Sequence, residues 1–210
     1  MPRRSAAQVE LSRAATLDAA VRVASVVGLG GLTIGSLARE LDMSKSGLVG
    51  RFGSKEDLQL ATLERAAEVF RQTVYEPAAA AAPGRARLVA ICDAWIAYLG
   101  GPTFPGGCFM TTASVEFDAQ GGPVADAVRG FMRRWLGVLE HEARIAVDAG
   151  DLQGEPADIA FTLNALAVGA NCDFQLHRDA RSLRRARAAM DAVLGPPVRP
   201  RADARRATAR

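Results

Sequence analysis

Between Thr33 and Phe52 the chain carries two helical periods that are each too short to stand alone in water. The stretch Ile34–Leu41 puts Leu37, Ala38 and Leu41 on one side, and Lys45–Arg51 puts Leu48 there, with Phe52 following. Thr33 and Ser44 precede the two segments as N-caps, and Asp42-Met43 joins them by a tight turn. Two such helices are stable only when braced against each other and a larger body, which is the pattern of a helix-turn-helix. In that unit the first helix supports the second, whose N-terminal residues meet base edges in the major groove of DNA. Here those residues are Ser44, Lys45, Ser46 and Gly47: small, polar, and with one long cation.

The bracing elements are legible on either side. Leu11, Ala14, Ala15, Leu17, Ala20, Val21, Ala24 and Val27 recur at helical spacing and predict a helix over about 7–27, stopped by Gly28, Gly30 and Gly31. Downstream, Ser54-Lys55-Glu56-Asp57 has the form of a capping box opening a helix that carries Leu58, Ala61, Leu63, Ala66, Val69 and Phe70 and ends before Pro77. An Ala-Pro-Gly stretch at 77–84 then separates this block from further helices near 85–99, 107–119, 123–149, 156–177 and 179–194. From Gly195 onward, prolines and arginines predict a disordered basic tail over 196–210.

Composition supports the helical reading and removes several classes. Forty-one alanines and an aromatic fraction of 6% favour helices over strands. The expected fold is all-α: an N-terminal three-helix unit holding the helix-turn-helix, and a larger helical part behind it. No run of apolar residues is long enough to span a membrane. Cys92, Cys108 and Cys172 have no C-x-x-C spacing, and His141 and His177 are the only imidazoles, so neither a disulfide framework nor a metal site is expected. No local signature pairs Cys108 with a histidine as nucleophile and base, so neither catalytic residues nor a cofactor are expected. A cytoplasmic protein is the expectation.

The net charge of +3 is a poor guide to partners, because it divides into +2 over 1–75, −6 over 76–180 and +7 over 181–210. Placement says more. The chain has 24 arginines but only two lysines, Lys45 and Lys55, and they bracket the second short helix. Lys55 also lies in the first turn of a helix, where a cation opposes the macrodipole; a docked phosphate relieves that conflict. Two solvated surface lysines are the plainer reading.

The stretch from Leu32-Thr33-Ile34 through Ser44-Lys45-Ser46-Gly47-Leu48 to Phe52-Gly53-Ser54-Lys55-Glu56-Asp57-Leu58 resembles the DNA-binding signature of TetR-family transcriptional regulators. In addition, Phe104-Pro105-Gly106-Gly107-Cys108-Phe109 resembles a segment of one subgroup of that family. The resemblance implies a homodimer on a near-palindromic double-stranded DNA operator, repressing nearby genes until a small-molecule effector enters the C-terminal part. It implies that Thr33 touches phosphate, that Ser44, Lys45, Ser46 and Gly47 lie at the groove, and that Lys55 grips the backbone. Val49 stands where the family usually has tyrosine, and Arg51 is the candidate to replace that phosphate contact. The implied organisation is a DNA-binding domain over 1–55, a connecting helix over 56–76 and a ligand-binding and dimerisation domain over 77–195.

Within that last part, helices 156–177 and 179–194 are expected to form the dimer. Phe161, Leu163, Leu166, Val168, Phe174 and Leu176 exceed what one buried face requires; a central helix of a monomer reads the same way. Trp95, Tyr98, Phe104, Phe109, Phe117 and Trp135 concentrate aromatics in the middle helices, as core or as the wall of a cavity. The expected ligand-binding set is Trp95, Tyr98, Phe104, Cys108, Phe117, Trp135 and Asn171. Cys108 follows a Pro-Gly-Gly turn near a helix N-terminus, so it reads either as a buried, inert thiol or as an electrophile- or oxidant-sensing one.

Overall fold

The structure is a computed structural model that describes residues 6–196; residues 197–210 of the expected tail lie outside them. Helix α1 (Ala6–Val27) buries Ala19, Ala20, Val21 and Ala24 and stops where Gly28 turns to φ +81°. Helices α2 (Ile34–Glu40) and α3 (Lys45–Phe52) follow, each held at its start by the cap the sequence predicts. Thr33 Oγ1 accepts from Ser36 N–H at 2.9 Å and Ser44 Oγ accepts from Gly47 N–H at 3.2 Å. Each such cap stabilises its helix by about 1 kcal/mol, a large share for elements of two turns. Leu29, Leu32, Leu37, Leu48 and Leu58 lie fully buried in the core.

Helix α4 (Lys55–Phe70) opens with a reciprocal box between Ser54 and Asp57. The helical path does not end before Pro77 as the sequence suggests. It continues through a π-helical turn (Arg71–Tyr75) into α5 (Glu76–Ala79). Proline lacks an N–H and its ring collides with the carbonyl one α-turn back. The wider turn just before it shifts that register: Glu76 N–H bonds to Arg71 C=O, and the Thr73 hydroxyl donates to Val69 C=O.

The larger part is built from α6 (Arg85–Gly100), α7 (Phe109–Glu116), α8 (Pro123–Asp148), α9 (Pro156–His177) and α10 (Arg181–Leu194). Helix α9 packs between α8 and α10, α6 packs on α8 and α10, and α4 runs from the N-terminal unit onto α8. Two starts fall later than expected. Gly107 at φ +85° delays α7, and Arg178 in the left-handed region (φ +55°) separates α9 from α10. Helix α7 also ends earlier, at Glu116. At the start of α6, the buried carboxylate of Glu142 accepts from Gly84 N–H at 2.7 Å and from Arg87 at 3.0 Å. An orphan helix donor and a buried charge thereby satisfy each other.

The aromatics form one cluster, and its centre is a residue of α4. The Phe70 ring meets Trp135 at 4.8 Å, Tyr98 at 5.5 Å, Phe131 at 5.8 Å and Trp95 at 5.9 Å, all edge to face. Trp95 and Trp135 meet at 5.0 Å, and Phe104 extends the cluster from Tyr98. The geometry suits the ring quadrupoles and fixes the far end of α4 in the core of the larger part.

Candidate nucleic-acid interface and cavity

The first turn of α3 is solvent-facing throughout: Ser44, Lys45, Ser46 and Gly47 are exposed, while Leu48 and Phe52 anchor the helix from below. The Ser46 hydroxyl donates to Ser44 Oγ at 3.3 Å, and the Lys45 chain lies along α2, its Cε 3.3 Å from where a Gly35 Cβ would sit. Thr33 is exposed at the neighbouring start of α2. The Lys45 Nζ and Thr33 Oγ1 lie 3.7 and 3.8 Å from that same Gly35 Cβ position, so the exposed starts of α2 and α3 adjoin.

Lys55 and Arg51 are placed less simply. Lys55 is exposed, but its Nζ donates to Gly30 C=O at 2.7 Å, across the turn between α1 and α2. An ammonium has three protons, so this bond leaves two for another acceptor. Arg51 donates from Nη1 to Thr16 Oγ1 on α1 at 2.6 Å.

A cavity of about 660 Å³ lies between α4 with its π-helical turn and α8. Leu63, Phe70, Phe131, Trp135 and Val138 give it apolar walls, and Glu64, Glu68, Arg71 and Arg134 bring charge to it. Arg71 is engaged, donating to Glu68 at 2.8 Å and to Glu76, and its hydrogen bonds hold the Glu68 carboxyl below its ordinary pKa. Arg134 is exposed and forms no ion pair among the described residues; its Nη1 would lie 3.3 Å from a Gly130 Cβ.

Of the residues the sequence offers for a ligand, Trp135 alone lines this cavity. Trp95, Tyr98, Phe104, Cys108 and Phe117 are buried in the core of the larger part and do not line it. Burial pushes the Tyr98 phenol well above its usual pKa. Asn171 serves a different junction: its Oδ1 accepts from Cys108 N–H at 2.8 Å, at the edge of a second cavity of about 530 Å³ where α1, α7 and α9 meet. Of the two readings open for Cys108, the structure meets the buried thiol and not the reagent-accessible one. Its side chain is 2% exposed. The glycines before it leave no opening, since a Cβ at Gly106 would lie 1.7 Å from Ser25 O and one at Gly107 2.6 Å from both Asn171 Oδ1 and Gln175 Nε2.

Sequence reasoning missed Phe70 and Phe131 as members of the aromatic cluster, and Arg134 at the cavity. It also missed Glu116, whose carboxylate accepts from Leu29 N–H and Gly30 N–H at 2.7 Å each. The glycines at 28, 30 and 31 were the available signal, because a backbone turn without side chains admits such a close approach.

An all-helical chain with a capped, outward-facing helix-turn-helix and a separate cavity-bearing helical part is a DNA-binding regulator by architecture. Residues 17–62 match the family described as bacterial regulatory proteins, tetR family, and residues 84–190 match the tetracyclin repressor-like C-terminal domain. The chain belongs to the TetR family of transcriptional regulators, and it is a DNA-binding protein rather than an enzyme.

Solved structures agree on the fold. A TetR transcriptional regulator from Chloroflexus aurantiacus J-10-FL superposes with a TM-score of 0.79 at 22% identity, covering 87% of this chain and 93% of that one. Reduced NemR from E. coli gives 0.75 at 22% identity over 89% and 98% of the two chains. AibR, solved in complex with isovaleryl coenzyme A and operator DNA, gives 0.71 at 19% identity over 88% and 98%. A comparison with curated proteins gives no match. Among the described residues, no helix is long and apolar enough to cross a membrane.

Proposed function

We propose that the chain is a homodimeric repressor that occupies a near-palindromic operator and leaves it when a small apolar or aromatic molecule enters the cavity between α4 and α8. The observation that carries this reading is the double attachment of α4. Its first residue, Lys55, belongs to the outward face beside α3, and its last, Phe70, sits in the aromatic cluster at the cavity wall. A ligand that repacks Phe70 therefore displaces a rigid helix about 24 Å long whose other end orients the DNA-binding unit. Release requires only that the ligand bind the displaced arrangement better.

In this reading Ser44, Lys45, Ser46 and Gly47 face base edges, while Thr33 and Lys55 face phosphates. Arg51 acts from the last turn of α3, where its bond to Thr16 steadies the helix. The DNA-binding domain spans 1–55, α4 within 56–76 is the connector, and 77–195 is the effector and dimer domain.

The exposed face of α9 supports the dimer. Phe161 (66% exposed), Ala165, Gly169, Cys172 and Leu176 (77% exposed) form an apolar stripe at helical spacing. A contiguous apolar face of this kind is costly in water, and a second copy of the same helix covers it with two-fold symmetry. The AibR complex, which holds an acyl thioester and operator DNA together, shows that this fold accommodates both kinds of partner in that protein.

The test has two parts. Sedimentation at micromolar concentration is expected to give a dimer; a monomer removes the dimer claim. An electrophoretic shift with a duplex selected by the purified protein is then repeated with a panel of small aromatic and acyl compounds. Release by a compound that also quenches Trp135 is expected, whereas release unaffected by substitutions at the cavity places the effector elsewhere.

A further inference from the structure

We propose that Glu116 is a positioning residue for DNA binding, acting from the effector domain through the backbone of Gly30 on Lys55. The inference rests on the reading above that Lys55 contacts phosphate. One residue, Gly30, carries the connection through the two peptide groups that flank its Cα. Gly30 N–H donates to Glu116 Oε1 at 2.7 Å, while Gly30 C=O accepts from Lys55 Nζ at 2.7 Å. The second carboxylate oxygen takes Leu29 N–H at 2.7 Å, and Leu29 C=O accepts from Gln59 Nε2 on α4 at 2.7 Å. The turn between α1 and α2 is thus held on its amide side by the larger domain and on its carbonyl side by α4.

The chain is shaped for this contact. Gly28 has φ +81°, and a Cβ at Gly30 would lie 2.4 Å from Glu116 Oε1, so the carboxylate occupies the space a side chain would fill. Successive amides converging on one anion form a nest, and a charged acceptor roughly doubles the strength of each bond over a neutral one. Glu116 is also the last residue of α7, whose other end is tied to α9 through Cys108 N–H and Asn171 Oδ1 at 2.8 Å. Helix α7 therefore runs from the helix with the exposed apolar stripe to the turn against which the Lys55 ammonium is held. A shift of α7 moves the Gly30 carbonyl and with it the ammonium.

A purely electrostatic role predicts the opposite sign from a positioning role. Removing a carboxylate near the phosphate-facing surface strengthens binding to a polyanion; removing a support for Lys55 weakens it. The probe is a mixed-sequence duplex of about 30 base pairs, because phosphate contacts dominate non-specific affinity and no operator is needed. Full-length wild type, Glu116→Gln, Glu116→Asp, Lys55→Ala and the Glu116→Gln/Lys55→Ala double variant are titrated over a range of salt. Thermal unfolding of each variant is recorded alongside.

The expected result is that Glu116→Gln and Glu116→Asp each weaken binding about three- to tenfold. In the Lys55→Ala background, Glu116→Gln is expected to cause no further loss. Hydrogen exchange at the Leu29 and Gly30 amides should rise in the Glu116 variants without exchange rising through the core of α8 and α9. Tighter or unchanged binding by Glu116→Gln, or an equal loss with and without Lys55, overturns the proposal. Lys55→Ala leaving both affinity and salt slope unchanged instead removes the phosphate contact itself, and the inference with it.

Discussion

Arg51, in the last turn of α3, donates from Nη1 to the buried hydroxyl of Thr16 in the middle of α1, 2.6 Å away. The bond fixes the end of α3 that lies away from its exposed first turn. Thr16→Val keeps the shape and removes the acceptor. The expected loss is about 1–2 kcal/mol, since a guanidinium donor stays partly buried with one fewer partner. Urea denaturation of the variant measures it; an unchanged midpoint means that the contact contributes nothing to stability.

Two glycines should respond in opposite directions. Gly50 is exposed inside α3, and nothing lies within 4 Å of where its Cβ would stand. Gly50→Ala is expected to stabilise the protein by about 0.8–1 kcal/mol through helix propensity alone. Gly106 is the reverse case, because an added Cβ would lie 1.7 Å from a backbone oxygen of Ser25. Gly106→Ala forces the turn before α7 away from α1, and a loss of about 1–3 kcal/mol is expected. Thermal melts of the two variants side by side provide the comparison.

Under the proposed function, the first turn of α3 reads bases while Lys55, at the start of α4, grips phosphate. Ser46→Ala and Lys45→Gln are expected to change the preferred base at one position of each half-site, by about 1–3 kcal/mol of discrimination. Lys55→Ala is expected to weaken binding evenly on all sequences and to lower the salt slope by about one unit. Parallel binding-site selections with the variants distinguish these outcomes. An unaltered motif from both α3 variants argues against base contact by this turn.

The three thiols differ in a way that reports on the fold and on association. Burial pushes the Cys92 thiol up to about 12 from an ordinary 9.0. The unfolded chain therefore releases that proton near pH 9, while the folded chain keeps it until about pH 12. The contribution to stability is fully present below pH 9 and is lost as pH rises between these values, by about 1.4 kcal/mol per pH unit at most. Cys92→Ala should flatten that alkaline slope relative to wild type. In native protein near neutral pH, maleimide should label the exposed Cys172 first, with Cys92 and Cys108 reacting only on unfolding. Because Cys172 lies on the α9 stripe, its labelling should slow as protein concentration rises and the dimer forms.

What the sequence made legible is local. Thr33, Ser44 and Ser54 announce α2, α3 and α4 because a cap and the amide it satisfies lie three residues apart. The alternation of buried and exposed positions in α3 follows for the same reason. Contacts between distant segments left no such trace. Phe70 reads as one more apolar position of its helix, yet its ring is the hub that Trp95, Tyr98, Phe131 and Trp135 surround. The aromatics picked out by composition proved to be mostly core, and the cavity opened beside them, against α4. Pro77 signalled a helix end that the π-helical turn avoids. Glu116 carried no local signal, because the amides that it holds are 86 and 87 residues earlier in the chain.

The central claim is that the exposed turn Ser44–Gly47 reads DNA as one half of a symmetric pair. Selection of binding sites from a randomised duplex library by the purified full-length protein tests it most directly. The expected product is an enriched near-palindrome whose half-site centres lie about one helical turn, or a small multiple of it, apart. Failure to enrich any sequence over the starting library, or enrichment of a single half-site without a symmetric partner, would contradict it.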